Sequence, residues 1–337
     1  SLGENSAASR RITVHTDLRG LLVGAGLPEV RLLLQAQATP QRIDLEQLQA
    51  RSGTARLEAS GHAEQADAHW QVRLQGDLEA FDPGVWWPGA AQEAAPGPRS
   101  VHRLDGRLDT DLRIPVPLAT GLAGLAEITG HADLHLDPSL IAGVPLAGQL
   151  KLQTRAGAGT TGAPRWNLDL KATAGAPVGA ADATDLHLTG DLAPSGSEDR
   201  WTLQWKSSAP ERLNPWMKLA GSPARISGDT EGQLGLAGRW PRVRSTGQLR
   251  SGQLHLGASD LQALDLHWKA GTFPADPIDV SATVGTLRAG GQNLSGLTLR
   301  TQGTAASHQL QLRSQIDVPA RTDLPARKLQ ALLSLNG

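Results

Sequence analysis

The sequence predicts an all-β fold: an elongated, curved, mostly antiparallel sheet that forms an apolar trough, with one or two short helical turns. Three observations support this prediction. Short units in which two large apolar residues flank one polar residue recur along the chain, and such period-two alternation indicates strands with one apolar and one wet face. Residues typical of turns separate the units, and glycine is frequent at 38 residues. Only one stretch has helical spacing.

Five copies of this unit form the most regular part of the chain. Their last residues lie sixteen to eighteen positions apart. This spacing is too loose for a solenoid with one fixed rung, and it suits strands joined by turns of varying length. The copies are Leu134–Leu136, Leu150–Leu152, Leu168–Leu170, Leu186–Leu188 and Leu203–Trp205.

Further strands are predicted on both sides of this run. Pro115 lacks a backbone donor, so the strand that contains it should lie at an edge or a break. The helical candidate is Pro210–Ala220, which Gly221 should end. The predicted strands are Arg10–Asp17, Val30–Ala36, Ile43–Leu45, Ala55–Leu57, Trp70–Leu74, two strands within Leu104–Leu118, Leu234–Leu236, Leu254–Leu256, Leu264–Trp268, Leu297–Leu299 and Leu310–Leu312.

Turn chemistry is predicted at several glycine positions. Gly76–Asp77, Gly190–Asp191 and Gly228–Asp229 combine two residue types that favour turns. The segment 88–100 is rich in alanine, glycine and proline and should form an exposed loop. Because strand chemistry resumes unchanged at Leu104, we expect residues 1–337 to form one continuous repetitive region.

Composition excludes several functional classes. The net charge is −1, so no charge bias points to nucleic acid or to an anionic membrane surface. The absence of cysteine excludes disulfides and cysteine metal sites. The longest uncharged apolar run, Ile114–Ala126, is too short to span a bilayer. Because the chain starts at Ser1 without a signal-like segment, we expect it to be part of a larger protein.

The apolar side chains of the alternating units should share one face of the sheet, and that face must be shielded from water. Most tryptophans are in phase with the leucines, whereas a sheet with a bare apolar face would aggregate. A sandwich, a barrel or a lengthwise trough would solve this problem. Evenly spread leucine argues against a sandwich, and the absence of tyrosine argues against the aromatic girdles of a membrane barrel. A trough of roughly 18 strands spaced ~4.8 Å would extend about 85 Å.

The predicted lining of the trough is a set of apolar residues from the alternating units. They are Trp70, Val72, Leu74, Leu134, Leu136, Leu150, Leu152, Trp166, Leu168, Leu170, Leu186, Leu188, Trp201, Leu203, Trp205, Leu234, Leu236, Leu254, Leu256, Leu264, Leu266, Trp268, Leu297, Leu299, Leu310 and Leu312.

No catalytic or metal-binding pattern emerges. Gly157–Gly162 matches the dinucleotide pattern GxGxxG, but a strand rather than the required helix should follow it, so we interpret it as a turn. The histidines between apolar residues belong to the outer, solvated face and lack metal spacing. They are His135, His187, His255 and His267. We predict a protein that is not an enzyme and that has no cofactor and no metal.

Four phrases carry a resemblance to a known family: Leu78–Pro83, Leu140–Gly148, Leu234–Pro241 and Gly303–His308. With these phrases the chain resembles the middle periplasmic region of the TamB family, the translocation and assembly module subunit, within the wider AsmA-like group of bridge proteins. The resemblance covers nearly the whole chain and implies a periplasmic β-taco with an apolar interior, in a full-length protein anchored in the inner membrane.

The resemblance also implies a function. Members of the family are expected to pass phospholipid between the inner and outer membranes. They are also expected to assist outer-membrane protein assembly or secretion beside the barrel partner TamA, through family parts that are missing from this chain.

Two functions from different classes stay open at this point. The first is a lipid conduit, in which acyl chains lie in the trough and headgroups stay at its wet mouth. The second is a structural module, a β-helix or sandwich with a closed, dry core that acts as a stalk or assembly scaffold. An open apolar lining would favour the conduit, and a sealed core would favour the scaffold.

Overall fold

The structure is a computed structural model. It describes residues 11–21, 29–82, 102–116, 127–155, 164–192, 199–222, 225–304, 306–318 and 327–336. These residues form nineteen β-strands and one helical segment, which confirms the predicted all-β fold class. The predicted loop at 88–100 and the Gly157–Gly162 motif lie outside the described residues.

The strands are β1 (Ile12–Leu21), β2 (Glu29–Ala38), β3 (Arg42–Ser52), β4 (Ala55–Ala66), β5 (His69–Phe81), β6 (Leu104–Pro115), β7 (Thr129–Ile141), β8 (Val144–Arg155), β9 (Arg165–Ala174), β10 (Thr184–Leu192), β11 (Arg200–Ser207), β12 (Ile226–Gly228), β13 (Thr230–Arg239), β14 (Arg242–Leu256), β15 (Ser259–Gly271), β16 (Pro277–Ala289), β17 (Gln292–Thr304), β18 (His308–Val318) and β19 (Arg327–Asn336).

The chain divides into two compact units. Unit 1 comprises residues 1–143 and 148–167, and unit 2 comprises residues 144–147 and 168–337. The single continuous region expected from the sequence stays a prediction. Within the described ranges, no helix combines the length and the apolar character that crossing a membrane requires.

Unit 1 contains an antiparallel meander. Each strand from β1 to β7 pairs with the next one along the chain. Two-residue turns join β3 to β4 and β4 to β5, and each contains a residue with positive φ, Gly53 at 60° and Asp67 at 52°. Such turns match the twist of the paired strands, which is why these hairpins close tightly.

Unit 2 repeats the same design over more strands. Strand β10 pairs with β11, β11 with β13, and each strand from β13 to β19 with the next, always antiparallel. The three-residue strand β12 pairs with the far end of β14. Two-residue turns again separate several strands, as at Gly290 and Gly291, whose φ angles are 56° and 77°.

A line of ladder irregularities crosses four strands of unit 2. One residue in each strand drops out of the pairing register: Gly252 in β14, Ala263 in β15, Gly285 in β16 and Gly296 in β17. The pairing register is the same on both sides of these residues, since Ser251 pairs with Leu264 and Gln253 with Gln262. Apolar residues change parity at the same points, as from Leu249 to Leu254 in β14.

The helical segment confirms the prediction for Pro210–Ala220. A 3-10 turn, Pro210–Leu213, continues as helix α1, Asn214–Leu219. Asn214 fixes this segment to β12 because its amide group donates to the Ile226 carbonyl and accepts from the Ile226 N–H, both at 3.1 Å. Arg212 donates to the Gly175 carbonyl at 3.2 Å and also pairs with Asp182.

Several predicted element boundaries are wrong. The two strands expected in Leu104–Leu118 are one strand, β6, and Pro115 stands at its end, where a missing donor costs little. Gly76–Asp77 and Gly190–Asp191 lie inside β5 and β10 rather than in turns. Strands β12, β16 and β19 were not predicted, although β16 alternates clearly.

Candidate functional site

Unit 1 has one face that carries no charged residue in its four central rows. Directly opposite residues of antiparallel strands point to the same face, so the register defines rows across β1 to β7. We call these rows the apolar face of unit 1. They are Ile12, Ala38, Ile43, Ala63, Val72, Leu112 and Gly130; Val14, Ala36, Leu45, Gly61, Leu74, Thr110 and Ala132; Thr16, Leu34, Leu48, Ala59, Gly76, Leu108 and Leu134; and Leu18, Leu32, Ala50, Leu57, Leu78, Gly106 and Leu136.

Unit 2 has a corresponding face with two central rows that each cross nine strands. Neither row contains a charged residue, and the single hydroxyl is that of Thr301. We call these rows the apolar face of unit 2. They are Leu186, Trp205, Gly232, Leu249, Leu266, Ala282, Leu299, Leu312 and Leu333; and Leu188, Leu203, Leu234, Gly247, Trp268, Val280, Thr301, Leu310 and Leu335.

The large side chains of both apolar faces stay accessible. All residues of the predicted lining are half-buried except Leu254, which is 3 % exposed, and Leu256, which is 44 % exposed. Among the described residues, the fully buried hydrophobic side chains are six alanines, Val144, Val284 and Leu254. A sealed protein core normally buries its leucines and aromatics. The large side chains of these faces are therefore less buried than those of a sealed core.

At one end of the apolar face of unit 2, the next row consists of small hydroxyl side chains. Thr184, Ser207 and Thr230 form the next row across β10, β11 and β13, and all three are buried. The Thr184 and Ser207 hydroxyls share a hydrogen bond of 2.7 Å, so neither is left unsatisfied. Two residues after the end of β11 come the buried Ala209, which is the N-cap of the helical segment, and the buried Pro210, which begins it.

Three indoles of unit 2 lie over glycines of neighbouring strands. A Cβ atom built on Gly190 would come within 2.6 Å of the Trp201 ring. The same atom built on Gly232 would meet the Trp205 ring, and on Gly247 it would meet the Trp268 ring. Each glycine stands opposite its tryptophan in the register. The indoles therefore lie against the sheet and cover backbone that a larger residue would occupy.

The opposite face of each unit is polar, and its charges are paired across strands. In unit 2 one row alternates in sign through Asp185, Lys206, Glu231, Arg250 and Asp265, an arrangement that stabilises antiparallel pairs. In unit 1, hydrogen bonds from Arg31 hold the pKa of Asp17 below its ordinary value. Hydrogen bonds from Arg56 and Gln49 likewise lower the pKa of Glu58.

The four histidines discussed above all contact aspartates. His187 lies 2.9 Å from Asp169 and His267 lies 2.7 Å from Asp265. His135 approaches Asp137 at 3.3 Å, and His255 pairs with Asp260. The prediction that they are solvated agrees with side-chain exposures of 38 % to 58 %. In the part of the chain that the structure describes, no three His, Asp or Glu side chains are grouped to hold a metal ion.

No family model and no curated protein matches the chain. The resemblance to the TamB family therefore stays an expectation from the sequence phrases.

The structure brings many of the predicted lining residues together in rows and adds others. Leu186, Trp205, Leu266, Leu299 and Leu312 share one row of unit 2. Sequence reasoning missed most of the apolar face of unit 1 and the contributions of β16 and β19. Alternation was a sufficient signal for most of these residues, which include Leu32, Leu34, Leu45, Leu48, Leu57, Leu78, Leu108, Leu112, Val280, Ala282, Leu333 and Leu335.

Proposed function

We propose that the chain conducts phospholipid, with acyl chains lying along its apolar faces and headgroups in water at the rim. The observation that carries this proposal is a face without charged side chains that crosses nine strands of unit 2 while its leucines and tryptophans stay half-buried or, at Leu333 and Leu335, exposed. Eight strand spacings correspond to about 38 Å. This is more than the ~15 Å depth of one leaflet of the hydrocarbon core, so a row is long enough to hold an acyl chain at several positions.

The free energy of an acyl chain on such a face should favour movement along the rows over tight binding at one position. Each CH₂ group that leaves water gains about 0.8 kcal/mol, whether it enters a bilayer or an apolar protein surface. An even lining of leucine therefore creates neither a deep trap nor a high barrier along the row. A buried charge in the path would create such a barrier, because its desolvation is costly. The rows of the apolar faces contain none.

The competing proposal is a structural scaffold with a closed core. A closed core would leave its leucines and tryptophans inaccessible. The half-buried lining supports the conduit over the scaffold.

The resemblance to the TamB family supports a cellular setting for this activity. We propose that the chain is a periplasmic part of a bridge protein that is anchored in the inner membrane and delivers phospholipid towards the outer membrane. Assistance to outer-membrane protein assembly with the barrel partner TamA belongs to the same proposal. The curvature that would turn the apolar faces into a trough of the β-taco kind is also proposed.

Organic extraction of the purified chain tests the conduit directly. After expression in a diderm bacterium and purification without detergent, we expect stoichiometric phospholipid in the extract by mass spectrometry, because the apolar faces would otherwise face water. Material stripped of lipid should regain it from phosphatidylethanolamine and phosphatidylglycerol vesicles. A folded chain that carries no phospholipid before or after this incubation would contradict the proposal and favour the scaffold.

A further inference from the structure

Strand structure does not explain why glycine occupies the three positions under the indoles of unit 2. Glycine weakens a strand, so its presence inside one often marks a close approach by another group. Gly190, Gly232 and Gly247 lie within β10, β13 and β14 and have no positive φ that would require glycine. For Gly190, the three atoms nearest to an added Cβ all belong to the Trp201 ring.

These three pairs determine how far each indole projects from the sheet. An indole that lies over a glycine adds one layer of atoms, about 3.5–4.0 Å of carbon–carbon separation. If the glycine carried a side chain, the ring would have to turn away from the sheet and stand in the space above the apolar face. Trp205 and Trp268 are in the two adjacent nine-strand rows, so a raised ring at either position would interrupt a row.

We propose that Gly190, Gly232 and Gly247 are positioning residues that keep the path for acyl chains open by letting Trp201, Trp205 and Trp268 lie flat. This inference rests on the proposed function and adds to it the residues that set the clearance above the apolar face. The tryptophans supply apolar area to the acyl chain, and the glycines keep that area level with the neighbouring leucines.

Gly190 offers the cleanest test. An added Cβ at Gly232 or Gly247 would also meet a neighbouring backbone carbonyl at 2.5 Å or 2.6 Å, which would disturb strand pairing. Gly190→Val should instead displace only the Trp201 ring. Gly20→Val is the matched control, because Gly20 lies in β1, faces the same side as Leu18, and has nothing within 4 Å of an added Cβ.

The measurement is photo-crosslinking to phosphatidylethanolamine and phosphatidylglycerol vesicles. p-Benzoyl-phenylalanine at position 236 reports lipid beside Trp201, since Leu236 stands opposite it, and the same residue at position 299 reports lipid in β17. Gly190→Val should reduce crosslinking at 236 by about fourfold to fifteenfold, the equivalent of one or two CH₂ contacts, and should leave position 299 unchanged. The Gly20→Val control should leave both positions unchanged.

A second substitution separates the position of the ring from damage to the strand. Gly190→Val combined with Trp201→Leu should restore crosslinking at 236, because no ring is left to be raised. Unchanged crosslinking in a folded Gly190→Val chain, or no recovery in the double variant, would overturn the inference. If Gly190→Val does not fold, Gly190→Ala is tested in its place, with crosslinking at positions 236 and 299 as the two measurements. An unsubstituted chain that crosslinks at neither position would instead overturn the proposed function.

Discussion

Replacing Leu188 by aspartate is expected to abolish phospholipid binding along its row while the chain melts almost normally. Leu188 is half-buried and pairs with Leu203 in a nine-strand row. On an open face the new carboxylate reaches water, so the cost in folding should be small. Acyl chains that pass over it would lose their apolar contact, and lipid content should fall about tenfold or more, which corresponds to at least ~1.4 kcal/mol. The arginine substitution Leu170→Arg in β9 should act in the same way.

The control is Thr189→Asp, which places the same charge one residue along β10, on the polar face. It should keep both its lipid and its melting temperature. A sealed core would give a different result for Leu188→Asp, because an unpaired buried charge costs several kcal/mol. At roughly 2–4 °C for each kcal/mol, that cost would lower the melting temperature strongly. Such a loss, or a folded variant that retains its lipid, would contradict the conduit.

Replacing Asp199 by alanine is expected to destabilise the pairing of β11 with β13. Asp199 is 8 % exposed, and its carboxylate accepts two hydrogen bonds of 3.0 Å from Arg239. Its carbonyl also accepts from the Gly238 N–H at 2.8 Å, so it holds the end of the β11–β13 pairing. Hydrogen bonds to charged groups contribute about 1.5–3 kcal/mol. Amides of β11 and β13 should therefore exchange with solvent roughly 10- to 150-fold faster.

The matched control for this prediction is Asp77→Ala in unit 1. Asp77 pairs with Arg107 at 3.4 Å, but both side chains are largely exposed, at 68 % and 77 %. Exposed ion pairs contribute about 0–1 kcal/mol, so exchange in β5 and β6 should change little. Equal effects of the two substitutions would show that the Asp199–Arg239 pair is no more important for strand pairing than a surface pair.

Period-two alternation was enough to predict the all-β fold and most strands of this chain. It failed at proline and glycine residues, because these residue types are compatible with more than one local structure. The missing backbone donor of Pro115 predicts a strand at an edge or a break, but Pro115 is the last residue of β6. The Gly190–Asp191 pair predicts a turn, but Gly190 lies inside β10 under an indole. Gly190 contacts Trp201 only because β10 pairs with β11 in the folded protein. Nothing in the sequence around Gly190 could have revealed this contact.

The shared face of the lining residues was predictable only in part. Within one strand, alternation assigns residues to faces directly. Across the line of irregularities in β14 to β17, the assignment depends on one unpaired residue in each strand, such as Ala263 with φ of 54°. Leu264 pairs with Ser251 and Leu261 pairs with Leu254, and Ala263 between them is left unpaired. Alternation alone would have placed these two leucines on opposite faces.

Quenching of single tryptophans by brominated acyl chains tests the central claim most directly. Two variants are needed, each with every other tryptophan replaced by phenylalanine: one keeps Trp268 on the apolar face of unit 2, and the other keeps Trp240. Trp240 occupies the turn after β13 and is 79 % exposed, so it serves as the internal control.

Each variant is loaded with phosphatidylcholine whose acyl chains are brominated or unbrominated and is then separated from vesicles. Bromine quenches only the indoles that it touches. We expect the brominated lipid to reduce the emission of Trp268 strongly and to leave that of Trp240 unchanged, because acyl chains lie on the apolar face. Equal emission of Trp268 with brominated and unbrominated lipid, in a chain shown to carry that lipid, would contradict acyl-chain binding on this face.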